Sequence, residues 1–336
     1  NTSILGNTML TMGSENTVIK AKWEANKYLV SFNGNGGTTN GNDIEVTYDE
    51  KYGVLPTATR EGYTFTGWYT QAEGGDEVKK TDTVKITGNI TLYAHWDINK
   101  QNLTINPNGG KYEGKEENTV KTIEFNGTYV VQVPTREGYI FTGWHLSGNG
   151  IMSTLVSQST FTMKTQDCTL VAAWRANEYM LTLNPNGGEL GTTEKKVTYD
   201  KEYGDLAQPT RLGYTFDGWY TQAEGGEKIN PTDIVKITEN KEIFAHWTAI
   251  VSNLSINPNG GKWNNSEEIR EFEMEFDKTK EIPVPTREGY TFVNWNLTGA
   301  NSSMSSITEN AVFTMGTEDA TLTAKWRINS YTITLD

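Results

Sequence analysis

The sequence predicts a mainly β (α+β) fold built from small domains that follow one another along the chain. In five segments an alanine stands two residues before a tryptophan, and these closing tryptophans lie at positions 23, 96, 174, 247 and 326. Between them, apolar and polar residues alternate with period two, which is typical of half-buried strands. Self-similarity at a fixed period indicates an array of like units.

A second repeated block supports the same interpretation. The pattern Thr-Arg-Glu/Leu-Gly-Tyr starts at positions 59, 135, 210 and 286, and a second tryptophan follows eight residues after each arginine. Aromatic side chains bury large areas, so the tryptophans are the predicted core of each unit. The predicted core residues are Trp68, Trp96, Trp144, Trp174, Trp219, Trp247, Trp295 and Trp326.

Two types of repeat alternate, because the steps between closing tryptophans are alternately short (23 to 96, 174 to 247) and long (96 to 174, 247 to 326). The short A type carries Trp-Tyr-Thr-Gln-Ala-Glu-Gly-Gly, and the long B type carries Phe-Thr-Met before its last strand. Both ends of the chain fall inside a repeat, so we expect a piece of a longer protein. The predicted domains are a B tail (1–23), an A repeat (24–96), a B repeat (97–174), an A repeat (175–247), a B repeat (248–326) and an A head (327–336).

The first A repeat illustrates the predicted strands. Alternation predicts a strand over 28–32, a tight turn at Gly-Asn-Gly-Gly (34–37), a second strand over 44–48 and a last strand over 92–96. Ala94, at the middle inward position of the last strand, leaves room for a large neighbour, which we expect to be the core tryptophan.

The third strand of each repeat needs an irregularity. Tyr63 and Phe65 share one parity, whereas Trp68 has the other, and Gly67 precedes it. Glycine tolerates backbone conformations closed to other residues, so we predict a β-bulge that returns the tryptophan to the buried face. At most one short helix per repeat is expected, near 82–87 in the A type.

Composition excludes several classes of protein. The net charge of −13 and the absence of a Lys/Arg stripe argue against nucleic-acid binding. No stretch approaches 18 apolar residues, so no membrane-spanning helix is expected. A single cysteine allows no disulfide within the chain, which suits a cytosolic protein or a surface protein of a bacterium that builds few disulfides.

No catalytic, cofactor-binding or metal-binding constellation is predicted. The three histidines (His95, His145 and His246) lack cysteine or carboxylate partners at ligand spacing, so a surface role is favoured over metal binding. Cys168 lies on the inward parity of a last strand without a histidine to activate it, so we expect a small buried hydrophobe. The repeated arginines could bind an anion, but packing of the stem or pairing with a local carboxylate is favoured.

Exposed aromatic residues are the candidate ligand contacts. Trp263 is the only tryptophan outside the repeat pattern, which makes it the best single candidate, although packing onto its own domain is the alternative. The full candidate set is Trp263, Tyr69, Tyr220 and Tyr112.

The combined motif resembles the internalin B-repeat family, also called the Listeria–Bacteroides repeat. The resemblance rests on an Asn-Gly-Gly turn after the opening strand, then Pro-Thr-Arg-Glu-Gly-Tyr-x-Phe-x-Gly-Trp, then Leu-x-Ala-x-Trp. It implies tandem β-grasp (ubiquitin-like) domains, arranged as an elongated string of beads, in bacterial surface or secreted proteins. It also implies an extracellular, cell-surface or cell-wall location and no catalytic residues. The B repeats depart from the family at 151–167 and 302–319, a longer segment that could add a strand.

Three classes of function remain open. The first is a semi-rigid stalk or spacer, favoured because only four to six residues, without Gly or Pro, link successive repeats. The second is a module that binds a glycan, or a protein of a host or neighbouring cell. The third is self-assembly through sheet edges, as in a filament or surface-layer subunit. No cofactor is expected, and an enzyme is a distant fourth because no carboxylate pair or nucleophile motif occurs in one repeat only.

Overall fold

The computed structural model describes residue 6 and residues 9–263, 265–304 and 311–334. The chain divides into two compact units, residues 1–134 with 141–173 and residues 135–140 with 174–336. All regular secondary structure in the described residues is β-strand, which confirms the mainly β class. Parts of the predicted end pieces 1–23 and 327–336, and residues 305–310 of the longer B segment, lie outside the described residues.

The first A repeat forms a five-stranded and a two-stranded sheet. The strands are β1 (Lys27–Asn33), β2 (Thr38–Thr39), β3 (Ile44–Thr47), β4 (Ala58–Thr59), β5 (Tyr63–Tyr69), β6 (Glu77–Val78) and β7 (Ile90–Ile98). The larger sheet has the order β3-β1-β7-β5-β6, and β2 pairs with β4. The first and last strands, β1 and β7, are parallel neighbours at the centre of the sheet, so the beginning and the end of the repeat are hydrogen-bonded to each other.

The first B repeat has a four-stranded sheet and an additional three-stranded sheet. The strands are β8 (Lys100–Asn106), β9 (Thr119–Glu124), β10 (Thr128–Val131), β11 (Tyr139–Ser147), β12 (Ile151–Met152), β13 (Ser159–Thr162) and β14 (Cys168–Ala176). The sheet orders are β11-β14-β8-β9 and β10-β13-β12. Here too the first and last strands pair in parallel.

The second A repeat repeats the five-stranded order. Its strands are β15 (Glu178–Asn184), β16 (Glu194–Thr198), β17 (Tyr214–Tyr220), β18 (Lys228–Ile229) and β19 (Lys241–Ala249). The order is β16-β15-β19-β17-β18, with β15 and β19 parallel.

The second B repeat matches the first. Its strands are β20 (Val251–Asn257), β21 (Arg270–Glu275), β22 (Thr279–Ile282), β23 (Tyr290–Thr298), β24 (Ser303–Met304), β25 (Ala311–Thr314) and β26 (Ala320–Ile328). Its sheets are β21-β20-β26-β23 and β22-β25-β24. The longer B segment therefore supplies two strands of a second sheet, more than the single strand expected.

The short helix expected near 82–87 is wrong. Two backbone hydrogen bonds hold Val84 in place: its N–H donates to Glu50 O (2.8 Å), and its carbonyl oxygen accepts from Asp49 N–H (3.0 Å). The Val84 side chain is fully buried in the core of the first A repeat. The segment is thus tied to the turn after β3, and residues 82–87 contain bends, loop and an isolated antiparallel β-bridge between Thr83 and Lys51.

The predicted bulge is confirmed. The pairing of β5 with β7 shifts register between Phe65 and Gly67, and equivalent shifts occur in the second A and second B repeats. The shift places Trp68 opposite Ala94, so the expected match of alanine and core tryptophan is also confirmed. Gly67 has a positive φ, whereas Asn294 occupies the same bulge without one. The bulge itself therefore does not require the left-handed conformation.

Candidate functional site

The four tryptophans of the third strands lie in the cores of their own repeats. Their exposed fractions are 2–3%. In the A repeats the indole N–H is hydrogen-bonded, from Trp68 Nε1 to Pro56 O (2.7 Å) and from Trp219 Nε1 to Ala207 O (2.9 Å). In the B repeats Nε1 of Trp144 and Trp295 is buried without a hydrogen-bond partner among the described residues. The two repeat types therefore use the same residue with different polar surroundings.

Four of the five closing tryptophans (Trp96, Trp174, Trp247 and Trp326) are partly buried, whereas Trp23 is 89% exposed. Trp96, Trp247 and Trp326 cover the Asn-Gly-Gly turns of their repeats. Trp96 Nε1 donates to Gly34 O (3.1 Å), and Trp247 and Trp326 donate to Pro185 O and Pro258 O (each 3.0 Å). A Cβ added to Gly37, Gly188 or Gly261, each the second glycine of its turn, would overlap the indole ring. The ring thus explains the second glycine of the pair, whereas the first glycine has a positive φ and lies against the arginine guanidinium, as at Gly36.

The repeated arginines stack on the tyrosine three residues later. The guanidinium carbon lies 3.8–3.9 Å from the ring centroid in all four repeats. Arg287 also donates from Nη1 to Asn259 O in the glycine turn (3.1 Å). We define the arginine corner as the Thr-Arg-Glu/Leu-Gly-Tyr segment, with this stack at its centre. The sequence favoured packing of the arginine stem or pairing with a local carboxylate, whereas the structure shows cation–π stacking of the planar guanidinium on the tyrosine.

Two of the candidate ligand contacts are buried, which corrects the expectation that they are exposed. Tyr112 has no exposed surface and Trp263 only 5%. Tyr112 accepts a hydrogen bond from Gln132 N–H (3.2 Å), and burial raises the pKa of its hydroxyl. Trp263 packs edge-on against Phe272. The two residues occupy the same position in the two B repeats, after Gly-Gly-Lys, and this repetition was the overlooked signal of a core role.

The other two candidates, Tyr69 and Tyr220, are half-buried and paired with histidines. Tyr69 stacks on His95 at 3.8 Å between ring centroids, and Tyr220 stacks on His246 at 3.9 Å. The Nε2 atoms of His95 and His246 lie 3.0 and 2.9 Å from the carbonyl oxygens of Gln71 and Gln222. One face of each tyrosine is therefore covered by an imidazole.

The remaining titratable groups of the described residues form no recognisable centre. No group of three or more His, Cys, Asp or Glu side chains that could hold a metal occurs within the described ranges. Cys168 is a buried free thiol whose sulfur accepts from Gly150 N–H (3.2 Å). The part of the chain that the structure describes also contains no helix able to cross a bilayer.

A shallow open groove lies between β9 and β10 of the first B repeat. Lys100, Lys121, Glu124 and Tyr129 are among the residues that line it. Lys100 pairs with Glu124 (3.2 Å), and the ammonium of Lys121 lies 5.3 Å from the Tyr129 ring. These charged groups already interact with their neighbours in the groove, which argues against a reactive centre there.

Comparison with known families agrees with the repeated architecture. The Listeria-Bacteroides repeat domain matches residues 28–95, 179–246 and 254–325, together more than half of the chain. The divergent InlB B-repeat domain matches residues 101–178. The chain belongs to the Listeria-Bacteroides repeat domain family.

The similar proteins include two from Evansella cellulosilytica, provisionally named a Gly-rich membrane protein and a membrane protein. Both are 30% identical, over 96% and 92% of this chain, and the chain spans only 36% and 45% of their lengths. Internalin H of Listeria monocytogenes is 40% identical over 95 residues, which are 28% of this chain and 16% of that protein. The TIE protein of Bacillus anthracis aligns with a TM-score of 0.27 at 12% identity, over 90% of this chain and 51% of that one.

Proposed function

We propose that this chain is a non-catalytic repeat region of a bacterial surface or secreted protein, and that it acts as a semi-rigid spacer between other domains. One observation carries the proposal: the residues that recur in the sequence are used for architecture. The core tryptophan fills the sheet, the closing tryptophan covers the glycine turn, and the arginine stacks on its tyrosine. An enzyme needs reactive groups gathered in one cleft, and these repeated residues supply none.

The connections between repeats support limited bending. A single residue separates the last strand of one repeat from the first strand of the next, at Asn99, Asn177 and Ile250. Each connecting residue donates its backbone N–H to the glycine carbonyl of the preceding arginine corner, at 2.8–2.9 Å. Flexible linkers are longer and lack such bonds. A spacer made this way transmits orientation from one repeat to the next.

The relatives support a location at the cell surface. Two relatives carry membrane protein in their names and a third is an internalin. The net charge of −13 favours solubility of an exposed array over association with anionic partners.

Small-angle scattering across a concentration series tests the spacer role. A compact globule of 336 residues would have a radius of gyration of about 20 Å. The spacer predicts a monomer with a value well above this at every concentration. A value close to that of the compact globule would contradict it, and polymers that grow with concentration would favour self-assembly through sheet edges instead.

A second candidate function is weak recognition of a glycan or of a protein from a host or neighbouring cell. The Tyr69–His95 and Tyr220–His246 stacks favour it, because the same half-exposed aromatic pair recurs in both A repeats. Glycan and host-protein arrays test it with the whole chain and with a Tyr69→Ala, Tyr220→Ala variant. Specific signals that the variant loses would support binding. A blank array would count against binding and leave the spacer as the only proposed role.

A further inference from the structure

The arginine corner of one repeat contacts an aromatic ring of the following repeat. Gly62 packs against the ring of Phe125, Gly138 against Tyr199, and Gly213 against Phe276. A Cβ at any of these three glycines would overlap the ring, so only glycine allows this approach. In each case the aromatic residue lies immediately after the strand that pairs antiparallel with the opening strand of the following repeat, that is, after β9, β16 or β21.

The tyrosine of each corner adds an edge-on aromatic contact. Ring centroids lie 6.1 Å apart for Tyr63 and Phe125, 5.7 Å for Tyr139 and Tyr199, and 5.7 Å for Tyr214 and Phe276. Interplanar angles of 72–76° are the T-shaped geometry that aromatic pairs prefer. The same chemistry therefore recurs at three successive junctions.

Backbone hydrogen bonds fix both halves of the junction through the connecting residue. Asn99 N–H donates to Gly62 O (2.9 Å), while Asn99 O accepts from Phe125 N–H (2.8 Å). Asn177 and Ile250 make the same pair of bonds at the next two junctions. At the first junction Thr64 Oγ1 also donates to Asn99 Oδ1 (2.6 Å).

The fourth corner is built in the same way but has no ring of a described residue against its glycine. Arg287 stacks on Tyr290 at 3.9 Å, and Asn329 N–H donates to Gly289 O (2.9 Å). Gly289 has a φ of 77°, like the other three, yet no described atom beyond its chain neighbours lies within 4 Å of a Cβ built on it. This corner is therefore preformed and uncovered within the described part of the chain.

The aromatic half also forms without a corner. Tyr48 of the first A repeat occupies the position of Tyr199, and its N–H donates to Asn26 O at 2.9 Å, as Tyr199 N–H does to Asn177 O. Tyr48 is half-buried, whereas Tyr199, covered by Gly138, is 8% exposed. Two preformed halves that need no rearrangement are suited to docking.

We propose that the Gly289–Tyr290 corner is a docking surface for the aromatic side chain of another repeat of this family. Its partner is a tyrosine or phenylalanine at the position that Tyr199 holds beside Gly138. The occupant follows from the three other corners, which all hold such a ring. Docking at the Gly289–Tyr290 corner can fail while the spacer role stands, because scattering tests the spacer role independently.

The test lengthens the chain by one repeat. Residues 331–336 align with 179–184, so a copy of 185–249 joined after residue 336 completes an A repeat with its own copy of Tyr199. Gly289→Ala is compared in the original and lengthened chains, with Gly213→Ala as the matched variant at an occupied corner. Alanine at a positive φ is strained in every case. The free-energy cost of this strain is the same in the original and the lengthened chain, so it cancels when the two are compared.

In the original chain, Gly289→Ala should lower the unfolding midpoint through backbone strain alone. In the lengthened chain we expect a decrease about twice as large, because the added methyl group also overlaps the ring of the copied Tyr199. The extra loss should vanish when the copied Tyr199 is alanine. In NMR spectra, Gly289 signals should shift upfield in the lengthened chain through the ring current. Equal effects of Gly289→Ala in both chains, unchanged Gly289 signals, or failure of the added repeat to fold beside this corner would each overturn the proposal.

Discussion

Trp68 faces Ala94 directly across the antiparallel strands β5 and β7, and the indole fills the space that the small side chain leaves. Trp219 faces Ala245 and Trp295 faces Ala324 in the same way. A fully buried methyl group beside a 2%-exposed indole leaves no volume for a larger side chain. This pairing explains why alanine recurs two residues before the closing tryptophan.

Enlarging the alanine should therefore destabilise its repeat. We expect Ala94→Leu to lower the free energy of unfolding by about 1–3 kcal/mol, because overpacking forces side chains off their rotamers. The measurement is urea unfolding followed by tryptophan fluorescence. Thr91→Leu, at an exposed position of the same strand, is the control and should stay within about 0.5 kcal/mol of the parent. Equal effects of the two substitutions would refute the packing argument.

The stability that the arginine corner contributes should depend on the planar shape of the guanidinium and not on its charge alone. Arg211 lies 3.9 Å from the Tyr214 ring centroid, so we expect Arg211→Lys to cost about 0.5–1 kcal/mol and Arg211→Ala more. Chemical denaturation of both variants measures the loss. Arg175→Lys, at an exposed position, should change little. Full retention of stability by Arg211→Lys would show that a point charge suffices.

The two repeat types should differ in their response to removal of the indole N–H. In the A repeat, Trp219→Phe leaves the carbonyl of Ala207 without its donor, whereas the Trp295 N–H has no partner to lose among the described residues. A buried group left unsatisfied costs about 1–3 kcal/mol. We expect Trp219→Phe to be more destabilising than Trp295→Phe by roughly that amount in thermal unfolding. The reverse order would contradict the hydrogen-bond assignment.

Acid should weaken the junction at Tyr139 and Asp200. Hydrogen bonds from Lys236 and then from Tyr139 hold the pKa of the Asp200 carboxyl below its usual value. A carboxyl with a depressed folded-state pKa contributes stability above its unfolded pKa of about 3.9, and that contribution is lost as the pH falls through the folded value. The temperature midpoint of unfolding should thus decrease as the pH falls below about 4. Asp200→Asn should make the midpoint less dependent on pH in this range.

The control for the pH profile is Asp205→Asn, because Asp205 is exposed. Its profile should follow that of the parent chain. If Asp200→Asn and the parent lose stability in parallel between about pH 4 and pH 2, the Tyr139–Asp200–Lys236 arrangement has no part in acid sensitivity.

Local periodicity predicted much of the fold. The alternation around Val30, the parity change at Trp68 and the small residue at Ala94 each report a constraint that lies close by in the sequence. The segment around Val84 carries no such local signal, because its position is fixed by hydrogen bonds to the distant turn at Asp49 and Glu50. Tertiary contacts override local preference in this way, and the expected helix was wrong for that reason.

The candidate ligand-contact residues also show that local sequence does not reveal tertiary burial. Tyr112 and Trp263 follow a glycine turn, where exposure is common, and their burial depends on the second sheet of the B repeat. The aromatic residues of the junctions, such as Phe125 and Tyr199, were not singled out because their partners lie in the preceding repeat. Pairing across that separation is invisible to any short window of sequence.

The most direct measurement of the central claim is the radius of gyration of the monomer from small-angle scattering, extrapolated to zero concentration. The proposed spacer role predicts a value well above the ~20 Å of a compact chain of this length. A radius near ~20 Å would mean that the repeats collapse onto one another, and the spacer account would then be contradicted.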